Sequence, residues 1–445
     1  MITEKNAKII TELPGPKSKA LGERKNKCVP PGIGISFDVY AAEAKDALIK
    51  DVDGNVFIDV AAAIGVQNAG HCDEEIVEAI KEQADKLIHP CFQVVPYEQY
   101  IELAEKITEI VPIEGDATAY FANSGAEAVE NAVKVARRYT GKQGIISLEA
   151  SFHGRTYMAM GLTSKVKPYK YGMGPFPSEL YKIPTPYCYR CPMGGTYPSC
   201  GLACAERLAY LLKGEYSADH IAAVIAEPVQ GEGGFIVPPK EYLNTLHSIC
   251  KDNDILLIAD EVQTGFCRTG KMFACEQFDA KPDIMTLSKS IAAGMPISAI
   301  VGKAEVMAGA LRGEIGGTYG GSPLSCVASL KTIEKMQKQN LAERATYLGN
   351  MILEKANAMK EKYNVIGDVR GIGAMVAVEF VKDKETKEPN KEIISKIIKY
   401  AYNKGVLLIS AGLLGNVVRF LPPLVMTDDQ MNYVLEVFEE AVTKA

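Results

Sequence analysis

No uninterrupted apolar run in the 445 residues approaches the length a bilayer requires, which excludes a membrane-spanning helix. No apolar stretch opens the chain either. MITEKNAKII carries charges where a signal peptide would be hydrophobic, so the expected location is cytoplasmic. Positive charge is not in excess. A formal net charge of -6 argues against nucleic acid as the main partner, because phosphate binding favours a basic face. The cysteines do not form a framework of the secreted kind: 11 is an odd number, and most are scattered, as reduced thiols of a cytosol are. There is no internal repeat. A composition of 47% hydrophobic and 23% charged residues gives no sign of disorder.

The length itself is informative, since a chain of this size outgrows one simple core and predicts two domains. Residues 1–30 are polar, with Pro14, Pro16, Pro30 and Pro31, and read as a surface arm. IKDVDGNVFIDV (49–60) predicts a hairpin turning at Asp53-Gly54, too small to be stable undocked. From about residue 70, short apolar runs alternate with amphipathic segments. The strand candidates are 145–148, 222–226, 255–259, 284–287 and 298–301; the helical patterns between them include 126–139, 202–213 and 240–252. In the first helix, Val129, Ala132, Val133 and Ala136 make one apolar stripe. Wholly apolar strands between such helices predict a doubly wound, mostly parallel α/β sheet. After residue 323 come a long helical stretch and VRGIGAMVAVEF (369–380). A helix with Ile393, Ile394, Ile397, Ile398 and Ala401 on one face follows, then a strand GVLLIS and a helix from about 428. These predict a smaller α+β domain, with 382–391 as a solvated loop. The expected division is 1–68 as arm and small-domain segment, 69–325 as the large domain and 326–445 as the rest of the small domain.

In open α/β sheets, ligands bind beyond the carboxyl ends of the strands. Three candidate strands run there into Glu227, Asp260-Glu261 and Ser288-Lys289, so two carboxylates and a lysine share one rim. Each alone also fits a solvated loop charge; together they make a candidate site. Ser124 and Glu127 spell a capping box at a helix start, which is either a plain cap or an anion site that Gly125 leaves open. Phe152-His153-Gly154-Arg155 follows a strand and could stack on a ring and bind a carboxylate, or be a core Phe beside a surface Arg.

NSGAEAVENAVKVAR (123–137), FHGRT (152–156), EPVQGEGG (227–234), ADEVQTGFCRTGKMFA (259–274), LSKSIAAGMP (287–296) and GGTYGGSPL (316–324) resemble the class III aminotransferases in wording, order and spacing. HPCFQVVPYE (89–98) and NVVRFL are similar to the 4-aminobutyrate branch of that family. The resemblance implies a fold type I enzyme dependent on pyridoxal 5'-phosphate. Lys289 matches the lysine that binds the cofactor covalently, and Asp260 the acid that pairs with its pyridine nitrogen. Gln263 matches the residue near the ring's phenolic oxygen, and Phe152 and Val262 the two that sandwich the ring. Gly125 and Ala126 match the phosphate-binding helix start, with Ser124 and His153 among the cofactor-binding residues. Thr318 matches a residue reaching the neighbouring subunit's phosphate, which implies a homodimer or a dimer of dimers. Ile64, Arg155, Glu227 and Arg419 match the substrate-binding set. Glu227 is expected to pair with Arg419 while an ω-amino donor is bound.

The implied reaction moves the amino group of 4-aminobutyrate, or a close ω-amino acid, to 2-oxoglutarate, giving succinate semialdehyde and glutamate. Ornithine, lysine or 5-aminovalerate are alternative donors, and racemisation or epimerisation of an α-amino acid is an alternative reaction. One feature departs from the family's bacterial pattern. Cys188, Cys191, Cys200 and Cys204 fall in an apparent insertion as C-x-x-C and a second close pair. That spelling fits zinc or an iron–sulfur cluster, and equally four thiols in an ordered loop.

Overall fold

The expected apolar runs pair into one sheet in the computed structural model, which describes residues 2–445. Its strands lie in the order Ala117–Ala122, Ser298–Lys303, Ile284–Leu287, Leu256–Asp260, Ile221–Ala226, Gly144–Leu148, Leu180–Ile183. Ser298–Lys303 is antiparallel to both neighbours, and the other pairings are parallel. Every residue of Ile221–Ala226 and Leu256–Asp260 is buried, as helices on both faces require. The expected helices appear as Gly125–Thr140, Ala203–Gly214 and Tyr242–Lys251. Because Ile221–Ala226, Leu256–Asp260 and Ile284–Leu287 are parallel neighbours, their ends carry Glu227, Asp260 and Lys289 to one rim.

The 49–60 hairpin forms from Leu48–Asp51 and Val56–Asp59, with Gly54 at φ +92° in its turn. It is docked as expected: Ala41–Lys45 pairs on one side and Val406–Leu407 on the other. GVLLIS is two short strands rather than one. Val406–Leu407 joins the hairpin's sheet, while Ile409–Ala411 pairs with Val417–Phe420. The latter sheet also holds Ile366–Ile372 and Met375–Phe380, turning at Gly373, and is antiparallel throughout. Helices Leu341–Lys362, Lys391–Asn403 and Asp428–Lys444 contribute to its core, where Phe420 meets Phe438 edge-on at 5.0 Å.

The arm contains a helix, Pro16–Cys28, whose polar sequence hides it; Asp53 accepts hydrogen bonds from Lys17 N and Ser18 N at its start. Arg268, fully buried, ties the two parts of the chain together. It donates to the Ala374 carbonyl at 3.0 Å, the Pro422 carbonyl at 2.7 Å, and Asn68 Oδ1.

Candidate active site

A cavity of about 290 Å³ opens at the shared rim. Ser124 starts one wall. Its Oγ accepts from Glu127 N, and Glu127 accepts in return from the Ser124 and Asn123 N–H groups, so the capping box is complete. Gly125 and Ala126, at the first helical positions, face the cavity. A Cβ on Gly125 would lie 2.9 Å from Val262 Cγ1, and one on Gly154, at φ +133°, would lie 2.8 Å from Ala126 Cβ. Glycine at 125 thus leaves room for the Val262 side chain, and glycine at 154 lets its backbone approach that of Ala126.

Asp260 is buried at the end of its strand. Its Oδ2 lies 2.7 Å from His153 Nδ1, and its Oδ1 accepts from Thr286 Oγ1 and Val262 N, both at 3.1 Å. The opposite ring nitrogen of His153 is buried without a partner, as is Gln263 Oε1. Lys289 follows the strand Ile284–Leu287 in the left-handed region, at φ +48°. Burial pushes its amine below the usual lysine range, against the opposing pull of Glu232, Asp260 and Glu227. Phe152 packs edge-on to Tyr169, at 4.9 Å between ring centroids. Arg155, exposed at the cavity mouth, lies over the Tyr169 ring, 5.0 Å from its centroid.

The expected pairing of Glu227 with Arg419 is not what the structure contains. Glu227 Oε1 accepts from Phe152 N and Oε2 from Gly231 N, both at 2.8 Å, so its oxygens are engaged by backbone. Burial, with Asp260 nearby, raises its pKa to about 8 against those two hydrogen bonds. Arg419 instead pairs with Glu232, five residues on, which also accepts from Tyr169 Oη at 3.0 Å. Burial raises the Glu232 pKa, but Arg419, Lys289 and Tyr169 together outweigh it and leave the carboxyl below its ordinary range. Glu232 and Tyr169 are thus site residues that sequence reading missed. EPVQGEGG offers two glutamates, and nothing in its spelling says which one turns toward Arg419.

Ile64 and Thr318 stand apart from this cavity, and Arg419 reaches it through its pair with Glu232. Ile64, 47% exposed and at φ +63°, lines a neighbouring cavity with Arg419. Thr318 is exposed, in a loop that does not line the cavity of its own chain.

The four clustered cysteines do converge, around a small closed space of about 20 Å³. Cys188 and Cys191 bracket a short 3-10 turn, while Cys200 and Cys204 flank the start of Ala203–Gly214. All four are free thiols, and burial raises Cys204 to about 11. Metal ligation requires thiolates. Although they share one space, no group of three or more Cys, His, Asp or Glu side chains among the described residues is disposed to hold a metal ion, so the zinc or iron–sulfur alternative gains no support from the geometry.

The matching family model, aminotransferase class-III, spans residues 34–442. A probable 4-aminobutyrate aminotransferase of Bacillus subtilis (strain 168) is 46% identical over 417 residues, covering 94% of this chain and 96% of that protein. The 5-aminovalerate aminotransferase DavT of Pseudomonas aeruginosa is 42% identical, covering 95% and 98%. Among solved structures, a PLP-bound amine transaminase from an uncultivated Pseudomonas species superposes with a TM-score of 0.86 at 29% identity, covering 99% and 100%. With a doubly wound sheet, a part-buried lysine near a buried aspartate and a family match over almost its full length, the chain belongs to the class III aminotransferases.

Proposed function

We propose that this aminotransferase moves the terminal amino group of 4-aminobutyrate to 2-oxoglutarate with pyridoxal phosphate, giving succinate semialdehyde and glutamate. The observation that carries this reading is the Arg419–Glu232 ion pair in a site that also presents Arg155. A donor with one carboxylate and a product with two must use the same pocket. An arginine covered by a carboxylate can serve the second and ignore the first.

The residues fit the cofactor. The helix start at Gly125-Ala126, which any Cβ on Gly125 would obstruct, suits a phosphate. Phe152 and Val262 offer apolar walls to a flat ring. Gln263 has an unsatisfied buried amide end, and an amide flip turns an N–H toward a ring oxygen. Once bound, pyridoxal phosphate supplies an aldehyde for the amino group and a ring that takes up electrons from the breaking C–H bond.

The chain's own groups do the rest. Asp260, held by His153 and Thr286, keeps a proton at the ring nitrogen. Lys289 Nζ, with its pKa lowered by burial, would take the proton from the substrate carbon and return it to the cofactor's aldehyde carbon. Arg155, at the open end, binds the carboxylate remote from the amine in either substrate. Arg419 takes the α-carboxylate of glutamate once Glu232 swings off it, one carboxylate replacing another of similar geometry. Thr318, exposed outside its own cavity, is assigned to the phosphate of a second subunit in a homodimer.

5-Aminovalerate is a second reading, favoured by the 42% identical relative named for that donor. It is one methylene longer, a difference that an apolar pocket resolves by roughly 10–200-fold. The test incubates the enzyme with 4-aminobutyrate, 5-aminovalerate, ornithine or lysine and 2-oxoglutarate, and measures glutamate. The highest kcat/KM should fall on 4-aminobutyrate; a higher value on another donor reassigns the substrate. D-amino acid without glutamate would replace transfer by racemisation.

A further inference from the structure

A cavity of about 700 Å³ lies away from the cofactor residues. It is walled by the segment around Phe37, the helix Lys391–Asn403 and the turn Ser410–Gly415. Four lysines line it, Lys165, Lys167, Lys391 and Lys399, against one carboxylate, Asp38. None of the four pairs with a carboxylate among the described residues, so their charge is not cancelled locally. Lys391 and Lys399 are two turns apart on one helix face. This concentration of positive charge stands out in a chain whose net charge is -6.

The cavity leads to the reaction site. Ser36, Phe37, Ile398 and Ser410 line both it and a second cavity of about 450 Å³, whose lining includes Arg419. Lys165 sits at the junction from the other side. Its Nζ donates to the Gly412 carbonyl at 3.0 Å, and Gly412 N in turn donates to the Glu232 carbonyl. Burial lowers the Lys165 pKa, with the nearby Glu232 opposing that shift and Lys391 and Arg419 adding to it. The lysines thus cluster in the outer cavity, while Arg419 is the one Lys or Arg side chain lining the inner one, which also holds Asp59 and His71.

We propose that this lysine-lined cavity is the access route for the dicarboxylate keto acid, collecting a doubly negative substrate and passing it by way of Lys165 to Arg419. The inference rests on the transaminase reading above and adds to it a selectivity by net charge. The amino donor is a zwitterion with no net charge at neutral pH, so the same field leaves it nearly unaffected. A one-sign cleft raises the local concentration and on-rate of an opposite charge by about 10–10³-fold, and salt removes that advantage as the Debye length falls to about 8 Å at physiological ionic strength.

The experiment uses the holoenzyme and the double variant Lys167→Glu/Lys399→Glu, both at exposed positions outside the cofactor cavity. At low salt, kcat/KM for 2-oxoglutarate should fall about tenfold or more, whereas kcat and kcat/KM for 4-aminobutyrate should stay within about twofold. Raising the salt should slow the wild type toward the variant for 2-oxoglutarate only. Glutarate, a dicarboxylate with no keto group, is the binding probe, because its affinity can be read by calorimetry without turnover. Its affinity should show the same salt dependence, lost in the variant. If glutarate behaves so while 4-aminobutyrate fails as a donor, the access route stands and the donor assignment falls. Unchanged glutarate affinity in the variant, or equal losses of kcat/KM for both substrates, would overturn the proposal.

Discussion

His153 Nδ1 and Asp260 Oδ2 meet at 2.7 Å with both side chains buried, one from the turn after Gly144–Leu148 and the other from the end of Leu256–Asp260. Together with Thr286 this fixes the carboxylate's direction before any ring arrives. A hydrogen bond to a charged group contributes about 1.5–3 kcal/mol, which corresponds to roughly 10–100-fold in rate. His153→Ala should lower kcat by about that factor. His153→Asn, which can still offer an N–H near the Nδ1 position, should recover part of it. No change in kcat for His153→Ala would remove the positioning role.

Lys289→Ala should abolish turnover while leaving the fold intact, since the side chain faces the cavity rather than the core. The measurements are turnover, circular dichroism and the visible absorbance of the lysine-bound cofactor. Loss of that absorbance on mutating a different lysine, with Lys289→Ala retaining normal turnover, would reassign the nucleophile.

A buried cation away from the site gives a pH signature. Burial lowers Lys182 to about 7, although its Nζ donates to Ser147 Oγ and the Leu162 carbonyl. Between about pH 7 and the unfolded lysine pKa of about 10.4, the unfolded chain holds a proton that the folded one does not. Stability should therefore rise with pH across that window, by up to roughly tenfold in the folding equilibrium per pH unit. Denaturant titrations of the wild type against Lys182→Met read this contribution directly. Parallel pH profiles for the two proteins would contradict it.

Much of this architecture was legible in the sequence because burial on both sheet faces leaves uninterrupted apolar strands, as in Ile221–Ala226 and Ile284–Leu287. The strands Ala117–Ala122 and Leu180–Ile183 were not legible. ATAYFA is alanine-rich and only part-buried, and LYKI is four residues long with one fully buried position, so neither carries a strong period. Ser124, Lys289 and Asp260 could be placed because capping and strand ends are local features. Glu232 could not. Choosing it over Glu227 depends on Arg419, which is remote in sequence and arrives from the other sheet. Glu227 is spent on backbone N–H groups that no sequence pattern displays.

Arg419 paired with Glu232, and not with Glu227, sets the order of the two half-reactions. Single-turnover rates of the two half-reactions, with 4-aminobutyrate and with glutamate, test it in Glu232→Ala, Arg419→Ala and Arg155→Ala. With Arg419 uncovered, Glu232→Ala should slow the 4-aminobutyrate half-reaction by about tenfold or more relative to the glutamate one, the scale of one charge-assisted hydrogen bond. Arg419→Ala should do the reverse, and Arg155→Ala should slow both. Equal losses in the two half-reactions for Glu232→Ala and Arg419→Ala would contradict the switch.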